Sequence, residues 1–424
     1  MAAQDTSAYI ADLARFLEAS PSSYHAAAEV ARRLDAAGFT ALTESAEWPT
    51  GGGKHYVIRD GAIVAWSQPA ASGPTTPFRI LGAHTDSPGF KLKPKPTVGS
   101  HGWLQAGVEV YGGPLLNSWL DRELELAGRL VTRDGREYLV RTGAFMRIPQ
   151  LAIHLDREQN NGLTLDKQRH MKPVFGVGDA SSADLVEHLA SLAGIDGWEV
   201  AGYDILTADT QPPARFGIDH DLFAGGRMDN LSSVYAGLTA LIGAPEGRHI
   251  SVLAAFDHEE LGSESRSGAS GPMLDDILTR IGAGLGASVS EKLRAYADSW
   301  CVSADAGHSV HPNYPEKHDS ANQPVLGSGV LLKINANQRY ATDAVGAALW
   351  ERACTSADVP YQEFVSNNTV PCGSTIGPLT ATRLGIRVVD VGVPLLSMHS
   401  ARELAHVDDL VGLSMAVGAF FAGV

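Results

Sequence analysis

Ile250-Ser251-Val252-Leu253-Ala254-Ala255-Phe256-Asp257-His258-Glu259-Glu260 reads as a short buried strand that runs straight into a group of acidic side chains. An uncharged run of this length, bounded by polar residues, suits a strand covered on both faces better than a helix. The same arrangement recurs along the chain. Pro77-Phe78-Arg79-Ile80-Leu81-Gly82-Ala83 ends at His84, Trp300 to Ala304 ends at Asp305, and Ile386 to Val391 leads through a loop to His399. Helical stretches such as Leu231 to Ile242 and Asp343 to Cys354 lie between them. Strands alternating with helices predict an α/β fold: a mixed, mostly parallel sheet flanked by helices.

Outward from this core the character changes. Ile10, Leu13, Phe16 and Leu17 recur at helical spacing, and Ser20-Pro21-Ser22 reads as the start of a second helix over Tyr24 to Leu34, with Gly38 as its stop. The alternating prolines of Lys91-Leu92-Lys93-Pro94-Lys95-Pro96 predict a linker. Beyond it, Val108-Glu109-Val110-Tyr111 and Leu130 to Val140, turning at Asp134-Gly135, predict antiparallel strands. The expected organisation is a catalytic α/β domain built from residues 1–92 and 218–424, interrupted by an inserted β-rich oligomerisation domain over 93–217. Gly282-Ala283-Gly284-Leu285-Gly286 lacks a full dinucleotide fingerprint and reads as a flexible loop.

The chain has 424 residues, 44% hydrophobic and 19% charged, enough for a substantial core. A net charge of −15 gives no basic face for phosphates, so nucleic acid is not an expected partner. No apolar run approaches the roughly 20 residues that span a bilayer, and the N-terminal stretch does not read as a signal peptide. Three scattered cysteines, Cys301, Cys354 and Cys372, suit a reducing compartment. The expectation is a soluble cytoplasmic protein.

The chemistry sits at the strand ends. In open α/β sheets, sites are built at the carboxyl ends of the strands. There the sequence places His84, Glu259, Glu260 and Asp305, with Asp229 in a glycine-rich loop before a helix and His399 in a loop after a strand. Two histidines and three carboxylates make a hard, mixed donor set for divalent ions rather than a thiolate-rich structural zinc site. A carboxylate such as Asp229 can bridge two ions. Asp86, two residues past His84, is placed to accept the second ring N–H of a ligating histidine. Of the adjacent acids, one can ligate and the other can take a proton from the attacking water.

Gly82-Ala83-His84-Thr85-Asp86-Ser87-Pro88-Gly89, Met228-Asp229-Asn230, Asp257-His258-Glu259-Glu260-Leu261-Gly262-Ser263, Asp305-Ala306-Gly307-His308 with His311-Pro312-Asn313-Tyr314, and Ser397-Met398-His399-Ser400 together resemble the M18 metallopeptidases, most of all the aspartyl aminopeptidases among them. The resemblance implies two zinc ions per subunit, with manganese or cobalt accepted by the same ligands. It implies His84 and Asp305 on one ion, Glu260 and His399 on the other, Asp229 between them, Asp86 orienting His84 and Glu259 as general base. The implied reaction removes the N-terminal residue of peptides, Asp before Glu. Lys333, in Leu332-Lys333-Ile334-Asn335, would pair with the acidic side chain. Tyr340 lies in the segment Gln338-Arg339-Tyr340-Ala341-Thr342 that also matches, as does Gly373-Ser374-Thr375-Ile376-Gly377-Pro378. His154, in Ile148 to Leu155, matches a histidine that reaches a neighbouring subunit's site. The implied assembly is a homododecamer.

Plainer readings stand beside these. Asp229 reads equally as the cap of the following helix, Glu259-Glu260 as a solvated loop pair, and Asp305 as a turn residue. Lys333 alternates with apolar residues as a surface lysine would, and His154 suits an ordinary strand. His308 and His311 read as shaping their loop, and His220 as a neighbour of the site at the domain junction. Two rivals follow: an M18 enzyme preferring neutral, leucine-like residues, and a non-catalytic metal-bound assembly protein.

Overall fold

In the computed structural model, which describes residues 5–424, the strands read from the sequence lie side by side. Ile250–Phe256 pairs in parallel with Phe78–His84 over its whole length. Trp300–Ala304 pairs in parallel with the other side of Phe78–His84, and Arg387–Gly392 follows, again parallel. These four form the middle of a nine-stranded sheet. A hairpin of Gly53–Arg59 and Ala62–Gln68 joins antiparallel on one side, and Val330–Lys333 joins antiparallel on the other. The sheet is mixed and mostly parallel.

Burial explains the uninterrupted apolar runs. Side chains alternate across a strand, so Ile250, Val252, Ala254 and Phe256 enter one core while Leu253 and Ala255 enter the opposite one. The second core is closed by the helices Thr6–Ala19, Ser23–Ala36, Met228–Ile242, Ala344–Ala357 and Val407–Ala422. Met273–Gly284, Val289–Ala297 and Ile376–Leu384 close the first. With helices on both faces the central strands are mainly apolar, and the one buried acid inside them, Asp390, is satisfied by the Thr375 hydroxyl and the Ala341 N–H. Ser22 and Asp343 cap helices as the sequence suggests, accepting the N–H of His25 and Gly346.

Residues 89–209 contribute a second, seven-stranded antiparallel sheet with its own core around Phe90, Trp119, Leu126 and Ile205. The Asp134-Gly135 turn joins the paired strands Glu123–Thr132 and Glu137–Arg141. Two expectations are corrected. Lys91 to Pro96 is no linker but part of the strand Gly89–Ser100. Its register against Trp103–Tyr111 jumps from Leu92↔Val108 to Thr97↔Ala106, so Pro94 and Pro96 fall in a bulge where no ladder N–H is required. Gly282 and Gly284 are not loop residues either; they finish the helix Met273–Gly284, and the turn comes at Gly286 with φ +77°. Among the described residues no helix is long and apolar enough to cross a membrane.

Candidate metal centre

Because the central strands run parallel, their carboxyl ends share one edge of the sheet. His84 closes Phe78–His84 and is 1% exposed. Asp305 follows Trp300–Ala304, and Glu259 and Glu260 form a single 3-10 turn after Ile250–Phe256. Asp229 and Asn230 open the Met228–Ile242 helix with non-helical backbone, and the Asp229 oxygens face His84 and His399 rather than the first helical N–H groups. That removes the helix-cap reading. Asn230 donates to Ala304 O at 2.8 Å, which pins this loop to the strand that carries Asp305.

The ligating atoms of His84, Asp229 and Glu260 lie within 4.8 Å of one another. Asp229 divides its oxygens. Oδ1 lies 3.4 Å from His84 Nε2 and Oδ2 lies 3.5 Å from His399 Nε2. His399 Nε2 is also 3.3 Å from Glu260 Oε2, and Glu259 Oε2 stands 4.0 Å from His84 Nε2. Both rings are oriented from behind. His84 Nδ1 faces Asp86, 3.0 Å from its carbonyl and 3.4 Å from Oδ1. His399 Nδ1 faces Gly113 O at 3.0 Å. A ring whose Nδ1 donates presents its Nε2 lone pair to the cleft, the tautomer that a metal requires.

Asp86 does more than face a histidine. Its oxygens accept the backbone N–H of Glu259 at 3.0 Å and of Glu260 at 3.2 Å, and the Tyr111 hydroxyl at 2.9 Å. One carboxylate therefore fixes the imidazole and the acidic turn relative to each other. Burial, with the charges of Asp305, Asp229 and Asp86 around it, pushes the Glu259 carboxyl up to about 8, and His84 opposes that rise.

The donor set fits cations. Asp229 Oδ1 and Glu260 Oε1 are buried without a hydrogen-bond donor, and a buried, uncompensated carboxylate is costly. Asp86, Asp229, Glu259, Glu260 and Asp305 converge on this edge, and the Lys333 ammonium lies 3.9 Å from the last of them. Divalent ions would supply the missing positive charge with ligand types that zinc accepts.

The cleft above these groups encloses about 300 Å³. Asp305, Lys333 and Tyr340 line it, Asp305 beside the tight His84–Asp229–Glu260 group rather than within it. Lys333 is 2% exposed, which overturns the surface-lysine reading. Its Nζ donates to Ala306 O at 2.7 Å and lies 3.9 Å from Asp305 Oδ1. The Tyr340 ring centroid is 5.3 Å from the same Nζ. Gly373 and Ser374 also line the cleft.

His154 does not line it; it stands in an exposed turn, outside any strand. His308 lines the cleft wall with its side chain exposed. His311 accompanies it into a neighbouring hollow of about 270 Å³. The exposed His220 lines neither, and His258 turns to Ser265 Oγ at 2.9 Å. Sequence reading missed Tyr111, which reaches the site from the end of a strand of the second sheet, and Gly113 in the loop just after it. It also missed Glu403, which holds two backbone N–H groups here.

A family model described as "Aminopeptidase I zinc metalloprotease (M18)" matches residues 16–421. A Streptomyces coelicolor protein named "Probable M18 family aminopeptidase 2" is 53% identical over 416 residues, covering 96% of each chain. A chain in a cryo-EM structure of an Ape4 and Nbr1 complex superposes with a TM-score of 0.95 at 34% identity, covering 98% of this chain and 86% of that one. The dodecamer of mApe1 from S. cerevisiae gives 0.85 at 28% identity, with 97% and 96% covered. This chain belongs to the M18 family, the aminopeptidase I zinc metalloproteases.

Proposed function

We propose that this M18 metallo-aminopeptidase is a two-zinc enzyme that removes N-terminal acidic residues, Asp before Glu. The observation that carries the two-ion reading is Asp229, whose oxygens face different histidines at 3.4 and 3.5 Å. A carboxylate so divided suits a bridge, with His84 and Asp305 completing one site and Glu260 and His399 the other. When bound, the ions supply Lewis-acid polarisation of the scissile carbonyl and a more acidic water. Glu259, outside that ligand set, takes the proton of the attacking water and hands it to the leaving amine. Asp86 holds the Glu259 backbone and the His84 ring in register during the transfer.

The acidic preference rests on Lys333. An ammonium has three donors; one goes to Ala306 O, and the group lines the cleft. A substrate carboxylate can take another. Replacing Lys333 by Met keeps most of the buried volume and removes the charge. The ratio of kcat/KM for Asp- over Leu-anilide should fall roughly 30-fold, the equivalent of about 2 kcal/mol for a charged hydrogen bond. An unchanged ratio would transfer the preference to other groups, and a wild-type enzyme favouring Leu-anilide would establish the neutral rival.

We further propose that the inserted domain, expected over 93–217, drives self-association, with a dodecamer like that of the S. cerevisiae relative as the target state. His154 is exposed in its own chain, and in the assembly it would donate into a neighbour's cleft. His154→Phe should lower kcat roughly 100-fold, the effect of losing one oxyanion donor, without changing the assembled mass. Hybrids mixed from His154→Phe and Glu259→Gln subunits should recover activity, because an intact cleft then meets an intact donor. Absence of recovery in confirmed hybrids argues for a role within one chain.

A further inference from the structure

We propose that Glu403 is the positioning residue that sets the spacing between the bridging carboxylate and His399, an inference that rests on the two-ion reading above. Its side chain is 2% exposed and lies at the first position of Glu403–His406, a strand paired antiparallel with Leu222–Gly225. Oε2 accepts the backbone N–H of Asp229 at 3.0 Å, and Oε1 accepts the backbone N–H of His399 at 3.0 Å. The two ligands come from separate parts of the chain, one opening a helix and one in a loop 170 positions later (399 against 229). One carboxylate thus ties both to the short sheet that carries it.

The surroundings make this clamp stiff. Ser87 Oγ donates to Asp229 O at 2.9 Å, so the Asp229 peptide is held from both sides. Leu115 N donates to His399 O at 2.9 Å, which does the same for the histidine. Glu403 also lines a small hollow of about 30 Å³, room for about one water, walled in part by Arg227 and Ser87. Both Glu403 oxygens are taken up by backbone N–H groups of the ligand-bearing residues, so it orients ligands rather than serving as one.

A carboxylate is required because both partners are donors. Gln offers one acceptor oxygen and one NH₂, and the NH₂ must then face a backbone N–H. Glu403→Gln should leave one clamp point and repel the other, loosening His399 relative to Asp229. Partners that orient ligands usually contribute 10–100-fold in metal affinity. The prediction is selective. In zinc titrations of the chelator-stripped full chain, the ion shared by Glu260 and His399 should bind roughly 10–100-fold more weakly in Glu403→Gln. The ion shared by His84 and Asp305 should change less. In the zinc-saturated enzyme kcat should fall while KM for the peptide stays within a few-fold.

Glu403→Asp, which keeps the charge and shortens the reach, should lie between wild type and Gln, and it serves as the test if the Gln variant does not fold. The control is His399→Ala. If His399→Ala loses one ion while folded Glu403 variants bind both as tightly as wild type, the positioning role is wrong and the two-ion site stands. If His399→Ala itself retains both ions, the underlying site reading fails and the inference goes with it. Equal weakening of both ions in Glu403→Gln would also overturn it, since a general loss of structure moves the two together.

Discussion

Replacing Glu259 by Gln should reduce kcat by two to four orders of magnitude while leaving zinc content at the wild-type level. The range is that of general acid–base catalysis, and at about 1.4 kcal/mol per tenfold it raises the barrier by roughly 3–5 kcal/mol. Gln preserves the size of the side chain and its place in the acidic turn, because the turn is held through backbone N–H groups donated to Asp86. What disappears is the basic oxygen that stands 4.0 Å from His84 Nε2, beside the ligands. KM should move little, since no substrate-binding contact is assigned to this group. Two measurements decide the matter: metal analysis after dialysis, and steady-state kinetics on Asp-anilide. A variant with full zinc and undiminished turnover would place the proton transfer elsewhere. A variant that loses zinc in proportion to activity would make Glu259 a ligand and leave the base unassigned. The non-catalytic rival predicts no turnover even in the wild type.

Legibility of the fold followed from burial. The four central strands are covered on both faces, so each appears in the sequence as a short, mainly apolar run, and three of the four run straight into an ionisable residue. The hairpin Gly53–Arg59 and Ala62–Gln68 is harder to see, because Lys54, His55 and Arg59 break its apolar pattern. Lys91 to Pro96 misled for a specific reason. Prolines exclude a regular ladder, yet the bulge between Leu92 and Thr97 makes no ladder there, so composition suggested a break where the strand only kinks.

The site divides in the same way. Ligand-type residues at strand ends are visible one by one, because the sheet brings them together by a general rule. The groups behind them obey no such rule. Tyr111 reaches Asp86 from the second sheet, Gly113 offers only a carbonyl, and Glu403 belongs to a strand of its own. None carries a spacing signal, since each contact is set by how distant elements pack. Lys333 shows the opposite limit. Alternation with apolar residues suggested solvent, but Val330–Lys333 is buried at every position, and the lysine turns into the cleft.

Asp229→Asn should bind both ions at least about 100-fold more weakly, a lower bound set by what orienting partners alone contribute, and activity should fall to background. The reasoning starts from its two oxygens. One faces His84 and the other His399, so a single side chain serves both ends of the site. Asn keeps one oxygen and turns an NH₂ toward the other imidazole or its ion. The backbone should not move, because Glu403 and Ser87 hold the Asp229 N–H and carbonyl independently of its side chain. This separates function from folding in a way that stability can report. With the metal stripped, Asp229 Oδ1 is a buried acceptor without a donor, among other carboxylates. His84 and His399, 3.4 and 3.5 Å from its oxygens, nevertheless hold the metal-free carboxyl below the usual carboxylate range against the cost of burial, so chelator-treated Asp229→Asn should melt at or a little below the temperature of chelator-treated wild type. With zinc present the gap should widen, because the wild type gains far more stabilisation from ligand binding to the folded state. A variant that kept both ions would end the bridging role. A stripped variant that melted well below stripped wild type would show instead that the Asp229 carboxylate serves the scaffold, and its placement between two histidines would then need another explanation.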